Sequence, residues 1–240
     1  MKIIPYKSIN WEKSASDYFL DAIENVLKNK KICNVMLTGG KTAEKLYFEL
    51  GKNPKLSELK GVHFYFSDER CVATNHPESN YGMVNRTLFV NKKTIGCSIY
   101  PMEADAKDQK KAASKYEKIL PDQFDIMMFG IGEDGHIASL FPGSNALRDD
   151  DNSLVLPVIS PKKPYNRLTI TPHVISKAKS IFIIATGAKK AKVLCQMLSV
   201  NSLNDDFPLS YVMNATWLVD TELIDNCLSE HNICVLVDKK

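Results

Sequence analysis

The sequence predicts an α/β fold, in which one doubly wound, mostly parallel sheet carries helices on both faces within a single domain, residues 1–240. Short runs that are apolar at nearly every position alternate along the chain with segments of helical periodicity. Strands of a parallel sheet are buried on both faces, so continuous apolar runs are what such strands require. No stretch rich in Pro, Gly or Ser divides the chain into two parts.

The predicted elements follow one another in βα order. The first helix is indicated by one apolar stripe at three- and four-residue steps, made by Ala15, Phe19, Ala22, Ile23, Val26 and Leu27. Strand and helix then alternate in four pairs, and two strands follow: ICNVMLT with TAEKLYFEL, VHFYFS with YGMVNRTLFV, FDIMMFGIG with HIASLF, SIFIIAT with AKKAKVLCQML, then ATWLVD and NICVLVD. This repetition is Rossmann-like, and we expect ligands at the carboxyl ends of the strands.

Composition excludes several classes of function. Lys and Arg number 31 against 28 acidic residues, and no dense basic block interleaves with aromatics, so a nucleic-acid partner is not expected. The apolar runs are far shorter than the ~20 residues that span a bilayer, and the first residues lack the pattern of a signal peptide, which predicts a soluble, cytoplasmic protein. Six scattered cysteines without a C-x-x-C pair predict buried thiols in a reducing compartment rather than disulfides or a zinc site.

The segment MLTGGKTAEKLY is the first candidate binding loop. A buried strand runs into Gly39 and Gly40, and a helix begins near Thr42. Glycines let backbone amides approach a ligand closely, and a helix N-terminus favours an anion such as phosphate. The alternative is an ordinary tight turn with Thr42 as the helix N-cap. The loop lacks P-loop spacing, which disfavours a nucleoside triphosphate.

The second loop begins with SDER. Asp68, Glu69 and Arg70 stand directly at the end of an apolar strand, where charges mark either a solvated boundary or a site. Arg70 can clamp a phosphate, and Asp68 can act on a hydroxyl or orient a base. Asn80, further along, is predicted to be a helix N-cap.

The third loop, FGIGEDGHIASLFPG, contains the dinucleotide-binding spacing G-x-G-x-x-G in an unsuitable context. It lies late in the chain, places Glu133 and Asp134 where a diphosphate would sit, and is cut short by Pro142. The glycines are better explained as a sharp turn that presents His136 as a general base beside the two acids. A lone histidine is more often a structural hydrogen-bonding residue, and only its neighbours favour catalysis here.

Two further cations complete the candidate site. Arg167 begins a predicted strand and Lys190 follows another, and each alone would be taken as a solvated charge. Together with Arg70 and the Gly39 turn they would form a pocket for a doubly charged phosphate.

Taken in order, five motifs of this chain resemble those of the 6-phosphogluconolactonases of the pentose phosphate pathway. They are LTGGKT, SDER with SNYGMVNRTLF, GIGEDGHIASLFPG, RLTITPHVISKA and TGAKKAKVL. Lys41 stands where that family usually has Ser or Thr, which keeps backbone-amide binding but not a hydroxyl contact from that position. Of the two adjacent lysines, Lys190 rather than Lys189 is taken as the match to the family's lysine, because Lys190 directly precedes Ala191. The resemblance implies two sets of residues: phosphate ligands Gly39, Gly40, Thr42, Arg70, Arg167 and Lys190, with Asp68 and His136 facing the lactone.

The implied reaction is hydrolysis of 6-phospho-D-glucono-1,5-lactone to 6-phospho-D-gluconate. His136 would take a proton from the attacking water, and Glu133 or Asp134 would steady its imidazole. Because an ester carbonyl is already electrophilic, no metal and no cofactor are expected. The expected partner is this small sugar-phosphate lactone alone, bound by a monomer or weak homo-oligomer.

Two alternatives remain. Glucosamine-6-phosphate deaminases share the broad fold, and their corresponding loop reads D-G-H-I-G-F-N-E; when Asp134 is aligned with its aspartate, Phe141 stands where the deaminase has its glutamate. That acid would be needed for ring opening and isomerisation. The other alternative is a non-catalytic sugar-phosphate sensor that keeps the pocket as a binding module.

Overall fold

Seven parallel strands form the main sheet of the computed structural model, which describes residues 1–90, 96–148, 152–199 and 206–231. Their order across the sheet is β1-β10-β9-β6-β2-β3-β5, and every neighbouring pair is parallel. The strands are β1 (Lys2–Tyr6), β2 (Cys33–Leu37), β3 (Val62–Phe66), β5 (Cys97–Tyr100), β6 (Phe124–Gly130), β9 (Ala178–Ala185) and β10 (Thr216–Asp220). The doubly wound, mostly parallel fold class is therefore confirmed.

A second, smaller sheet is antiparallel and was not predicted as a unit. It has the order β4-β8-β7, with β4 at Asp68–Arg70, β7 at Val155–Ile159 and β8 at Asn166–Ile170. In its register, Arg70 of β4 lies opposite Arg167 of β8. The charged residues of the second candidate loop thus belong to a strand rather than to a solvated boundary.

Helices cover both faces of the main sheet because its strands bury alternate side chains in two separate cores. In β6, Met127 and Phe129 face one core, while Ile126 and Met128 face the other. Helices α1 (Trp11–Leu27), α2 (Lys41–Lys52), α3 (Pro54–Glu58) and α4 (Asn80–Thr87) contribute to the second of these cores. Helices α5 (Gln109–Glu117), α6 (Pro172–Ile175), α7 (Ala191–Ser199) and α8 (Thr221–His231) contribute to the first, together with β7 and β8.

The winding of the sheet changes direction between β2 and β6. From β2 the chain continues outward to β3 and β5, whereas from β6 it continues the other way to β9 and β10. In such a sheet the loops after the two central strands diverge and leave a crevice at their carboxyl ends. The Gly39 turn follows β2 and the His136 loop follows β6, so both flank this crevice.

One local prediction is wrong, and one strand was missed. Residues 136–141 do not form a helix: Ile137 and Leu140 make an isolated bridge, and Ala138 has φ 50°. The segment is buried on several sides, so its apolar pattern reflects burial rather than one helical stripe. Strand β1 was not foreseen, and the predicted strand NICVLVD lies outside the described residues.

The cysteine prediction is also corrected. Cys195 of α7 and Cys227 of α8 form a disulfide, with their Cα atoms 5.6 Å apart. The two helices pack side by side, which brings residues distant in sequence within bonding range. Cys33, Cys71 and Cys97 are free thiols, whereas Cys234 is outside the described segments. Within these segments no helix is long and apolar enough to cross a membrane.

Candidate active site

A cavity of about 470 Å³ opens at the carboxyl ends of the central strands. It is lined by groups from the loops after β2, β6 and β9 and from the small sheet. Nearly all the residues predicted from sequence contribute to its wall, namely Gly39, Gly40, Thr42, Asp68, Arg70, Glu133, His136, Arg167 and Lys190. The remaining one, Asp134, bonds directly to His136.

The turn after β2 enters the cavity through its two glycines. Gly40 has φ 99°, a conformation that favours glycine, and it stands at the N-cap of α2. A Cβ atom on Gly39 would lie 2.0 Å from Oδ1 of Asn80, so only glycine fits beside that side chain. The helix begins at Lys41 and Thr42 is its second residue, which places the first amides of α2 at the cavity wall.

Asp68 is a buried carboxylate, with 4% of its surface exposed. Its Oδ2 accepts a hydrogen bond from Ser139 Oγ at 2.6 Å, and its Oδ1 accepts one from Asn80 Nδ2 at 3.1 Å. The prediction that Asn80 caps α4 is wrong, because Ser79 is the N-cap and its hydroxyl accepts from the Gly82 amide. Asn80 is instead the residue that orients Asp68 beside the cavity.

Glu69, the next residue, points away from the cavity and into the start of α4. Its carboxylate accepts hydrogen bonds at 2.7 Å from the backbone amides of Arg70, Asn80 and Tyr81. Burial raises the pKa of Glu69, although these backbone hydrogen bonds oppose the rise. The carboxylate therefore fixes the helix that carries Asn80.

Arg70 lies with its guanidinium at the cavity and is partly engaged with the loop before α4. Its Nη1 donates to the Glu78 carbonyl at 2.6 Å and lies 3.6 Å from Glu78 Oε2. Its Nε is buried and has no hydrogen-bond partner within the described chain. A buried donor of this kind costs about 1–3 kcal/mol when it is left unsatisfied.

Arg167 joins several parts of the wall. It is 5% exposed, and its guanidinium donates to the Pro164 carbonyl at 3.0 Å, the Lys162 carbonyl at 3.2 Å and Ser139 Oγ at 3.3 Å. Since Ser139 in turn donates to Asp68, the arginine and the carboxylate are linked through one hydroxyl. Burial lowers the pKa of the guanidinium, which stays charged in the ordinary pH range.

Lys190 ends the short 3-10 helix Ala188–Lys190 that follows β9. Its Nζ donates a hydrogen bond to the carbonyl of Ile131, in the loop after β6. Burial lowers the pKa of this amine, Lys162 lowers it further, and the carboxylates of Glu133 and Asp134 oppose the change. The adjacent Lys189 is exposed and does not line the cavity, so the structure brings Lys190 to the site.

The His136 imidazole is paired with one of the two neighbouring acids. Its Nδ1 forms a short hydrogen bond with Asp134 Oδ1, and its ring stacks on Phe141 with the centroids 4.5 Å apart. If Nδ1 carries the proton, Nε2 is free to act as a base. Burial lowers the pKa of His136, and Lys162 adds to this, while Asp134 and Asp68 oppose it.

Asp134, rather than Glu133, is the acid that contacts the imidazole. Burial raises the pKa of Asp134, but hydrogen bonds from Lys162 and His136 outweigh this and bring it well below its usual range. Glu133 is exposed and lines the cavity, and its charge raises the pKa of Lys190. Of the two acids that could steady the imidazole, Asp134 is therefore the one that contacts His136.

Sequence reasoning missed Lys162 and Ser139. Lys162 lies in the hairpin loop between β7 and β8, lines the cavity and donates from Nζ to Asp134 Oδ2 at 2.9 Å. A lysine between Pro161 and Pro164, a few residues before Arg167, is a signal that could have suggested a rigid, cavity-facing loop. Ser139 gave no signal, because its role depends on a turn that the sequence pattern misrepresents as a helix.

Comparison with known proteins identifies the family. A sequence model described as "Glucosamine-6-phosphate isomerases/6-phosphogluconolactonase" matches residues 8–220. The chain belongs to this family. It is 30% identical over 223 residues to 6-phosphogluconolactonase 3 of Saccharomyces cerevisiae, covering 86% of this chain and 89% of the yeast protein.

Among solved structures, a 6-phosphogluconolactonase and a glucosamine-6-phosphate deaminase both superpose well on this chain. The 6-phosphogluconolactonase from Trypanosoma cruzi aligns with a TM-score of 0.77 at 26% identity, covering 94% of this chain and 96% of that one. A monomeric glucosamine-6-phosphate deaminase aligns with a TM-score of 0.79 at 22% identity, covering 94% and 100%. Since both superpose about equally well, the fold alone does not separate the two activities.

Proposed function

We propose that this family member hydrolyses 6-phospho-D-glucono-1,5-lactone to 6-phospho-D-gluconate, as in the second step of the oxidative pentose phosphate pathway. One observation carries the proposal: a single cavity brings the His136–Asp134 pair together with the cations Arg70, Arg167 and Lys190. An anionic tail and a reactive ester on one small molecule require this combination of groups. The names of the yeast and trypanosome relatives support the same substrate.

The phosphate would be held where the Gly39 turn meets the cations. The first amides of α2 suit a phosphate because the helix N-terminus is electropositive, and Arg70 adds a positive charge on the wall of the same cavity. Lys190 contributes its ammonium, of which one donor is already engaged with Ile131. Arg167 already makes three hydrogen bonds to the protein. We therefore expect it to contribute to phosphate binding mainly through its charge rather than through a direct hydrogen bond.

At the ester, His136 acts through Nε2. It removes a proton from water as the water oxygen attacks the lactone carbonyl, and Asp134 stabilises the imidazolium that forms. When the tetrahedral intermediate collapses, the bond to the ring oxygen breaks and the imidazolium returns its proton to that oxygen. Asp68, held by Asn80 and Ser139, is positioned to accept a hydrogen bond from a sugar hydroxyl.

Phe141 argues against the deaminase alternative. It occupies the position of the deaminase glutamate, is 7% exposed and stacks on the His136 ring. A phenyl ring cannot transfer the protons that opening and isomerisation of an amino sugar need. Stacking does, however, hold the imidazole in one orientation, which suits its use as a base in hydrolysis.

The test compares the purified chain with a His136→Asn variant for consumption of the lactone above spontaneous hydrolysis. We expect the unaltered chain to accelerate hydrolysis and the folded variant to lose roughly 10²–10⁴-fold in kcat. His173→Asn is the matched control, because His173 lies on α6 and does not line the cavity. Full activity in His136→Asn would refute the mechanism. Ammonia release from glucosamine 6-phosphate would favour the deaminase, and binding of 6-phosphogluconate without turnover would favour a sensor.

A further inference from the structure

The loop between β7 and β8 brings a lysine to the catalytic histidine from a different sheet. Lys162 Nζ donates to Asp134 Oδ2 at 2.9 Å, while the other oxygen of that carboxylate, Oδ1, bonds His136 Nδ1. The lysine ammonium also lies 6.0 Å from the centre of the Phe141 ring, on which the imidazole stacks. One carboxylate therefore joins an ammonium and an imidazole, with each oxygen serving one of them.

We propose that Lys162 is a positioning residue: its ammonium holds the Asp134 carboxylate in the orientation in which that carboxylate accepts the Nδ1 proton of His136. This inference rests on the proposed lactonase function and extends it. An aspartate in a turn can rotate about its side-chain bonds, and a second hydrogen bond on the free oxygen removes that freedom. The imidazole then carries its proton on Nδ1 and leaves Nε2 unprotonated.

The backbone of Lys162 is itself held in place. Arg167 donates to the carbonyl oxygens of Lys162 and Pro164, so a buried guanidinium fixes both sides of the turn that presents the ammonium. The same arginine reaches Ser139 and through it Asp68. The lysine is thus placed by the small sheet, although its side chain is half exposed, with 52% of its surface accessible.

The charges around the imidazole determine how removal of Lys162 would act. The ammonium disfavours the imidazolium, whereas Asp134 and Asp68 favour it, and burial is the largest influence. The other charged groups on the cavity wall are Lys41, Arg70, Glu133, Arg167 and Lys190. Without the ammonium, the imidazolium gains in stability, so His136 should take up its proton at higher pH.

The experiment compares Lys162→Met, Lys162→Arg and the control Lys163→Met in the full chain. Lys163 is the neighbouring exposed lysine of the same loop, and its Nζ lies 6.0 Å from the Tyr165 ring rather than at Asp134. We expect Lys162→Met to lower kcat about two- to fivefold with KM unchanged, a modest loss because the ion pair is partly exposed. Arginine should restore kcat, and the control should match the unaltered chain.

A second readout needs no substrate. The His136 imidazole is titrated by NMR, with its signal assigned by its absence in His136→Asn, and its midpoint should move to higher pH in Lys162→Met only. The kcat losses of Lys162→Met and Asp134→Asn should not add, because both act on one carboxylate. An unchanged titration, or a raised KM with unchanged kcat, as expected of a phosphate ligand, would overturn the proposal. A chain without lactonase activity would defeat the proposed function, while the titration would still test Lys162.

Discussion

The two sheets supply the cavity with different kinds of group. The parallel sheet contributes loops that enter through glycine turns, at Gly39 after β2 and at Gly132 after β6. The antiparallel sheet contributes charged side chains of the strands themselves, at Asp68, Arg70 and Arg167. The turns depend on the absence of side-chain atoms, whereas the strands depend on charged side chains that are hydrogen-bonded to neighbouring segments. Added atoms should therefore damage the first region, and removed charges the second.

The largest expected effect follows removal of a charge from the small sheet. Arg167→Met leaves the acceptors on Ser139, Lys162 and Pro164 without their donor, and it removes a positive charge that interacts with Asp68. Removal of one partner from a buried ionic network costs about 3–5 kcal/mol. We expect the free energy of unfolding, measured in urea, to fall by about that amount. Arg148→Met is the control, since Arg148 pairs with Asp206 on the surface and should contribute little. Equal stability of the two variants would contradict this account of the small sheet.

An added methyl group tests the parallel sheet. In Gly39→Ala the new Cβ would lie 2.0 Å from Asn80 Oδ1, so Asn80 must move and lose its bonds to Asp68. Overpacking of this kind costs about 1–3 kcal/mol, and affinity for inorganic phosphate should fall as the turn shifts. In Gly130→Ala the nearest atom is the Gly39 carbonyl oxygen at 3.6 Å, an ordinary contact, so stability should change by less than about 1 kcal/mol. Urea unfolding and phosphate titration measure both variants, and equal losses would show that close approach at Gly39 is unimportant.

The same contrast explains what the sequence could predict. Continuous apolar runs mark β2, β3, β6 and β9, and parallel strands place their carboxyl ends together, so the Gly39 turn, Asp68, His136 and Lys190 could be expected at one edge. The small sheet is built from strands as short as Asp68–Arg70, which carry no periodic signal. Its pairing brings Arg70 opposite Arg167 and gives Lys162 its place. These contacts depend on tertiary structure and could not be read from local patterns.

Asn80 and residues 136–141 show how local rules are overridden. Asn80 satisfies the preference for a helix N-cap, yet Ser79 takes that position because Asn80 is drawn to the Asp68 carboxylate. The segment after His136 has apolar residues at helical spacing, yet the Ser139 amide bonds to Thr169 Oγ1 instead of a helical carbonyl. In both places the departure from the local pattern serves the cavity, as expected where a site imposes its own geometry.

The smallest expected effect is a shift in the pH dependence of activity. It shows how strongly charges from the small sheet change the pKa of His136, which follows a strand of the parallel sheet. Burial and Lys162 lower the pKa of His136, so the acid limb of kcat/KM should lie below the ordinary value of 6.5. The neutral imidazole is the base, so activity is present above the folded pKa and lost as the pH falls through it. Stability has the same sign: because the folded pKa is depressed, acid favours unfolding, and the contribution of His136 is complete only above its unfolded pKa.

Asp68→Asn sharpens this test, because Asp68 lines the same cavity and its charge raises the pKa of His136. Its removal should move the NMR titration of the imidazole to still lower pH, whereas Asp17→Asn, a half-exposed change on α1, should leave the titration unaltered. An acid limb at or above pH 6.5 in the unaltered chain would mean that the carboxylates outweigh burial. An unmoved titration in Asp68→Asn would mean that the charge of the small sheet does not reach the imidazole, and that the two regions act independently.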